Sequence, residues 1–582
     1  MRGRHAGTGL RWLRLIAGVA CVAVGAALTL RPFTALEVLV LFVGGSFLVA
    51  GISELAGART APRPTFARAV GVGWFVAGAL VMAWAGITIH ALAIVAGVSM
   101  LLGGLTRLAS ARGGGGDDRL IAALSGLASV VFGALALAWV DVTVLVLALL
   151  VGARTVLFGF AQIAAALREL RGRAGPVARR RPRWLRLAGA AASLAVALGL
   201  VAISAVIHRS KAPADSFYTA PSEVPASPGV LLRSEPFARG IPSDARAWRI
   251  LYTTTRDDDT PAVASAVVIA SKHLPAGPRP VIAWAHGTTG VASRCAPSLL
   301  PSRWTPEVIP ALDQVIVRGW VIVATDYVGL GTAGPHPYLI GQGAARSVLD
   351  SVRAAMHMRQ VTLANMTVVW GHSQGGHAAL WAGMLAPRYV PDLNVVGIAA
   401  LAPASDLPAL VATARNTLEG RVIASYILTA YSQIYPDVSF DHYTRPGARV
   451  IVRATARRCI ELPEALVSVA TALPRQPIYR VDPLSGALGK RLAQNTPTGP
   501  IKAPVFVAQG LTDPVVLPSV QARYVRRRCA AAHQALRYVT YEDRNHLSLL
   551  APRSRLAPDL LRWTRARLAA QHRPHRCVTV SR

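Results

Sequence analysis

Three residues in one chain order, Ser373, Asp513 and His546, are of the types that make a nucleophile, an orienting carboxylate and a general base. Ser373 lies in Gly371-His372-Ser373-Gln374-Gly375-Gly376, between the apolar run Met366-Thr367-Val368-Val369-Trp370 and the helix-like His377-Ala378-Ala379-Leu380-Trp381-Ala382. A buried strand, a sharp turn with Ser between glycines and then a helix is the setting of a nucleophile elbow. Asp513 follows the apolar run Pro504-Val505-Phe506-Val507-Ala508 in the turn Gly510-Leu511-Thr512-Asp513-Pro514. His546 comes next, in Asp543-Arg544-Asn545-His546-Leu547. Asp543 is the rival carboxylate, three residues before His546, where it is better placed to shape the loop; His533, His572 and His575 are rival bases without a comparable setting.

Acyl transfer develops an oxyanion, which needs fixed donors. The backbone N–H of Gln374, immediately after the nucleophile, is one. The other is expected from His286-Gly287-Thr288-Thr289-Gly290, a glycine-rich turn after the strand-like Val281-Ile282-Ala283-Trp284, with the Thr288 N–H as the donor. Neither metal-ligand spacing nor a phosphate loop or dinucleotide fingerprint stands in a supporting context, so no cofactor and no metal are expected.

The elements that must position these groups read as an α/β domain. Apolar segments Trp248–Thr253, Ala264–Ala270, Pro280–Trp284, Trp320–Thr325, Thr367–Trp370, Asn394–Ala400 and Pro504–Ala508 have strand character, with helical stretches such as Ala344–Met358 between them. That alternation predicts a mostly parallel, doubly wound sheet with its site at the carboxyl ends of the strands. From about 405 to 498 the alternation lapses into apolar helical stretches with many prolines, which reads as a cap over the site. The expected boundaries are a membrane domain over 1–186, a further membrane helix over 187–207, a Ser, Pro and Ala-rich linker over 208–228 and the hydrolase-like domain over 229–582.

The chain is 582 residues long and 53% hydrophobic, which is too apolar for a purely soluble protein. Seven stretches are long enough to cross a bilayer: Leu13–Leu30, Thr34–Leu55, Ala67–Trp84, Ile87–Leu108, Leu120–Val140, Val142–Leu167 and Leu187–Ile207. Arginines crowd alternate loops: before the first stretch, between the second and third, between the fourth and fifth, and most densely at Arg168–Arg186 between the sixth and seventh. The positive-inside rule then puts the N-terminus in the cytoplasm and everything after Ile207 outside. The formal charge of +33 is spread over these loops and over the C-terminal half rather than gathered in one patch, and no recognition motif accompanies it, so nucleic acid is excluded as a partner.

The first six stretches repeat. Gly18, Gly71 and Gly126 correspond, as do Gly25, Gly78 and Gly133; Gly44, Gly97 and Gly152; and Gly51, Gly104 and Gly159, every column with offsets of 53 and then 55 residues. Three helical hairpins in tandem explain four aligned columns. Paired glycines seven residues apart fall on one helix face, where small residues let backbones approach closely in lipid. The region reads as packing and anchoring, with self-association through it left open. It resembles the acid-resistance membrane proteins of the HdeD type, a likeness of pattern that carries no catalytic motif.

Of five cysteines, Cys295, Cys459, Cys529 and Cys577 all lie in the C-terminal half, an even set that fits disulfides if that half is exported. That half resembles the secretory lipase family of α/β-hydrolases. The resemblance is carried by Pro228-Gly229 to Pro236, Ala283–Gly290, Cys295-Ala296-Pro297-Ser298, Asp326–Gly331 with Pro335-His336-Pro337-Tyr338, and Gly371–Gly376. It implies a serine ester hydrolase acting on lipidic or other acyl esters under a helical cap, with Ser373, Asp513 and His546 matching the family's triad. Four cysteines allow three pairings; the resemblance favours Cys295 with Cys459 and Cys529 with Cys577. The expected protein is therefore a multi-pass, membrane-anchored extracytoplasmic lipase or esterase. The competing readings are an acyltransferase that passes the acyl group to an envelope alcohol, and a membrane stress or scaffold protein whose hydrolase fold is inert.

Overall fold

The computed structural model describes residues 214–582 except 302, 532–533, 571–575 and most of 462–476; before them it describes mainly three helices, with scattered further positions. The chain divides into two compact units, one built around the first 206 residues and one comprising Ile207–Tyr443, Thr455–Val469 and Tyr479–Arg582.

In the C-terminal unit ten strands form one sheet: β1 (Leu231–Phe237), β2 (Ala245–Thr255), β3 (Pro261–Ser271), β4 (Arg279–Ala285), β5 (Val321–Thr325), β6 (Leu363–His372), β7 (Val395–Leu401), β8 (Val505–Gly510), β9 (Leu536–Tyr541) and β10 (Cys577–Ser581). Their order is β1-β2-β3-β5-β4-β6-β7-β8-β9-β10. The first three pair antiparallel, β3 runs antiparallel to β5, and the remaining pairs are parallel. Parallel strands are covered on both faces and so read as continuous apolar runs. β4 shows how: Ile282 and Trp284 enter one core and Val281, Ala283 and Ala285 the other. Helices Gly341–Met356 and Gln374–Tyr389 pack on the face of Val281, and Leu556–Leu568 on the opposite face.

Three strands lie outside the segments expected from sequence. β1 carries Arg233, Ser234, Glu235 and Pro236 and forms one edge of the sheet, where little apolar patterning is needed. β9 and β10 are short, and β10 at the other edge is mostly exposed. Between β7 and β8 the chain builds the helices Leu407–Ala414, Leu418–Ile434, Phe440–Tyr443 and Gly486–Gln494, within the stretch expected to cap the site. Side-chain oxygens of Asp406 and Thr417 cap the first two by accepting from the Ala409 and Gly420 amides.

In the N-terminal unit, helices Ala85–Ser110, Gly116–Ala138 and Arg183–Arg209 coincide with the fourth, fifth and seventh apolar stretches. Among the described residues one helix, Arg119–Ala138, is long and apolar enough to cross a membrane. The first, second, third and sixth stretches lie largely outside the described residues.

The repeated glycines are where helices touch. A Cβ on Gly104 would meet the Gly126 carbonyl oxygen at 2.7 Å, and one on Gly97 would meet that of Gly133 at 3.2 Å. These contacts join the second hairpin to the third. A Cβ on Gly159 would meet the Gly18 oxygen at 2.6 Å. The last column of one repeat thus meets the first column of the next, and the third repeat meets the first in the same way. At these contacts the small residues let the helix backbones approach closely.

Candidate active site

β6 ends at His372 and the helix starts at Gln374, leaving Ser373 alone to reverse the chain, with φ 56° and ψ −115°. A non-glycine residue in that region is strained and is held there by its surroundings. The flanking glycines supply the room. A Cβ on Gly371 would meet the Gly375 oxygen at 2.0 Å, one on Gly375 the Ala285 oxygen at 1.9 Å, and one on Gly376 the Pro403 Cβ at 2.8 Å. The elbow is thereby pressed against the ends of β4 and β7, and its helix N-terminus points at the serine.

Ser373 Oγ lies 2.9 Å from His546 Nε2, and His546 Nδ1 lies 2.8 Å from Asp513 Oδ2. Asp513 is 2% exposed. Burial pushes its pKa up, but the hydrogen bond and charge of His546 and the amides of Val516 and Val515 outweigh it, and the net value lies below 3.8. The carboxylate is therefore ionised and can only accept, which assigns the imidazole proton to Nδ1 and leaves Nε2 free to take the Ser373 proton. This arrangement can activate a hydroxyl for attack on a carbonyl. Asp543 sits in the same loop at φ 53°, exposed and turned to shaping the chain. His533, His572 and His575 lie outside the described residues.

Gln374, Gly287 and Thr288 line the same cavity as Ser373, and a Cβ on Gly287 would lie 3.8 Å from the Ser373 Cβ. The expected oxyanion turn is thus next to the nucleophile.

Sequence assigns no role to several side chains that hold the site. Gln509 donates through Nε2 to Asp513 Oδ2 at 3.1 Å and to the Val516 carbonyl at 3.0 Å. The His372 ring bonds the His546 carbonyl oxygen at 3.0 Å and lies 4.7 Å from the His546 ring; burial, then the nearby His546, pull its pKa down to about 3, so it stays neutral beside the base. His336 is likewise pulled to about 3 by burial. Its Nδ1–H donates to the Val328 carbonyl at 3.3 Å, so Nε2 accepts from Gln374 Nε2 at 2.8 Å and fixes the residue after the nucleophile. Asp326 accepts from the Ser298 amide and from the hydroxyls of Ser298 and Ser265, tying the 295–298 loop to the sheet. The contacts of His372, His336 and Asp326 are pairings across the fold, invisible in local spacing, whereas Gln509 acts within its own turn.

Cys295 bonds Cys459 and Cys529 bonds Cys577. Beside the first bridge, the Ile460 amide donates to the Thr289 carbonyl at 2.7 Å, and Arg303 Nη2 donates to the Ile460 carbonyl at 2.7 Å. This bridge therefore fastens a cap segment to the glycine-rich turn. Replacing both Cys295 and Cys459 with Ala is expected to destabilise the unit by about 2–5 kcal/mol, since the bridge closes a span of 164 residues. It should also lower kcat/KM by ~10–100-fold through a misplaced turn. Thermal melting and ester kinetics on the double variant, with Cys529→Ala/Cys577→Ala as comparison, check this; equal kinetics for wild type and the Cys295/Cys459 variant would contradict it.

The cavity holds about 470 Å³ and is walled by Leu410, Leu418, Val422 and Ile423 from the cap and by Leu339, Val515, Val516, Leu547 and Leu550 from below. An apolar cavity opening on an activated serine suits a hydrocarbon-bearing ester.

Comparison with known proteins agrees with this reading. The secretory lipase family model matches residues 307–574, and a short repeat of unknown function matches three times, over 16–67, 69–138 and 124–204. Lipase A of Moesziomyces aphidis is 25% identical over 388 residues, covering 62% of this chain and 82% of that protein. A Mycobacterium tuberculosis protein named a probable inactive lipase is 27% identical over 265 residues, 42% of this chain and 58% of that protein. The chain thus spans well over half of each of these two relatives but less than two thirds of the second. The crystal structure of Candida antarctica lipase A superposes with a TM-score of 0.53 at 20% identity, over 63% of this chain and 88% of that one, a likeness of fold.

The C-terminal half has an α/β-hydrolase-like fold. The secretory lipase match lies within that half, and the three matches to the short repeat precede it in the same chain.

Proposed function

We propose that this protein is a membrane-anchored hydrolase that cleaves lipidic or other acyl esters outside the cytoplasm. The ester carbonyl is attacked by Ser373 Oγ as His546 Nε2 removes its proton; the Gln374 and Thr288 amides hold the oxyanion. His546 then gives the proton to the leaving alcohol, and a water activated by the same imidazole releases the acid from acyl-Ser373. Asp513 keeps the ring in the working tautomer and stabilises its protonated form.

The observation that carries this reading is the unbroken chain Asp513–His546–Ser373 on a strained elbow. An inert scaffold would have no use for it, and the relative named inactive does not transfer that state to a chain in which all three links are made. The test is a chain-length series of p-nitrophenyl esters on the full-length protein in detergent, with and without an added alcohol. Free acid as the product supports hydrolysis; acyl transfer to the alcohol at the expense of acid would make the protein an acyltransferase; no turnover on any ester would reject both.

Anchoring is supported by the seven apolar stretches, the repeat matches and the helix Arg119–Ala138. Its resemblance to HdeD-type proteins suits a packing role for the repeats. Arginine in alternate loops and an odd number of crossings put the hydrolase outside. A reporter active only in the cytoplasm, fused after Arg582, is expected to stay silent; a strong signal would contradict the topology.

A further inference from the structure

The cavity beside Ser373 is bordered by a cation that no carboxylate among the described residues pairs at ion-pair distance. Arg303 is part of its wall, within a few residues of the 295–298 loop that Asp326 anchors, and its charge is felt at His286 in the turn leading to Thr288. A guanidinium has five N–H donors. Here Nη2 donates to the Ile460 carbonyl at 2.7 Å, and Nε is buried with no hydrogen-bond partner among the described residues. No carboxylate among the described residues lies within ion-pair distance of it. Glu307 and Glu419 also border the cavity, but both are exposed and neither pairs with Arg303; Glu461 reaches it through its field alone.

Taking an arginine into a mostly apolar wall without a paired acid costs free energy, and lowers its pKa for the same reason. The fold accepts that cost at a position where a ligand would relieve it. A planar guanidinium with donors left over after its one bond to Ile460 is the side chain suited to a carboxylate or phosphate. The other walls, Leu339, Leu410, Val422 and Ile423 among them, suit hydrocarbon. We propose that Arg303 is a specificity determinant that receives an oxyanion on the substrate, so that the preferred substrates are acyl esters bearing a carboxylate or phosphate in addition to the scissile ester.

This inference rests on the ester-hydrolase reading for its turnover test but not for its binding test. Two matched pairs of probes separate the sources of the oxyanion. Mono-p-nitrophenyl glutarate against p-nitrophenyl pentanoate places a carboxylate on the acyl side. Lysophosphatidic acid against a monoacylglycerol of the same chain places a phosphate on the alcohol side. For the full-length protein, kcat/KM is expected to favour the anionic member of at least one pair by ~10–100-fold, the size of a charge-assisted hydrogen-bonded contact.

Arg303→Gln should bring that ratio close to unity, Arg303→Lys should retain part of it, and Arg523→Gln, exposed on the helix Pro518–Ala531, should leave it at the wild-type value. A wild-type ratio at or below unity in both pairs, or an undiminished ratio in Arg303→Gln, would overturn the proposal, and the wild-type ratio decides even if Arg303→Gln does not fold. The same pairs are to be read as Kd on Ser373→Ala, by direct titration, where binding discriminates without any chemistry. Tighter binding of an anionic member supports Arg303 even if turnover fails and the hydrolase reading falls; equal binding in both pairs overturns Arg303 even if hydrolysis stands.

Discussion

Ser373→Ala is expected to lower kcat by ~10⁴-fold or more, and His546→Ala and the double variant by about the same amount, because each removes the same step. Among the described residues the His546 imidazole Nε2, at 2.9 Å, is the base that Ser373 Oγ meets. Asp513→Asn should lose less, since that residue orients the ring and takes no proton itself. Turnover needs the neutral His546 ring, because only that form accepts the Ser373 proton. Burial pushes the Asp513 pKa up, but the hydrogen bond and charge of His546 and the Val516 and Val515 amides hold it below 3.8. Its folded-state value is depressed, so the stability it contributes is present above 3.8 and is lost as the pH falls through the lower, folded value. Additive losses in the double variant, or a Ser373→Ala protein with wild-type turnover, would show that the three residues do not act as one unit.

Gly375→Ala is expected to be nearly as damaging by a different route. The added Cβ would stand 1.9 Å from the Ala285 carbonyl oxygen, 2.5 Å from its carbon and 2.6 Å from the His286 oxygen, all of them backbone atoms. No side chain can swing aside. Either the elbow helix lifts from β4 or the His286–Gly290 turn gives way, and both separate Ser373 from its oxyanion donors. A displacement on the order of 1 Å costs ~10²-fold in rate, and overpacking of this kind costs roughly 3 kcal/mol in stability. Kinetics and thermal melting check both, with Gly103→Ala as the comparison because a Cβ there meets nothing within 4 Å. Wild-type activity in Gly375→Ala would mean that the elbow is looser than its packing states.

How much of this was legible beforehand follows from what each feature depends on. Ser373, Asp513 and His546 are each marked by local context, a strand ending in a turn, and their order along the chain is fixed by the fold, so type and sequence position suffice to find them. The parallel strands are legible because burial on two faces leaves an apolar run, as in Val505-Phe506-Val507-Ala508. β1 has only partly buried or exposed positions and holds Pro236, so nothing in its composition marks a strand. His372 and His336 escape for another reason. Their partners lie across the fold, 38 residues away for the His336–Gln374 contact and 174 for His372–His546, and spacing carries no trace of such pairs. The glycine columns were legible as a repeat, but their meaning, contact between successive hairpins, needed coordinates. Arg303 is the extreme case. In sequence it is one arginine among many, and only its unpaired place in the cavity wall gives it a role.

The chemistry of this site turns on whether Ser373 is the nucleophile. The most direct measurement is stoichiometric labelling of the full-length protein with a fluorophosphonate, followed by peptide mapping and an activity assay on the same sample. One label per chain at Ser373, with turnover abolished in proportion and no labelling of His546→Ala on the same time scale, is the predicted result. A label that settles on another residue, or full modification of Ser373 with turnover intact, would contradict it.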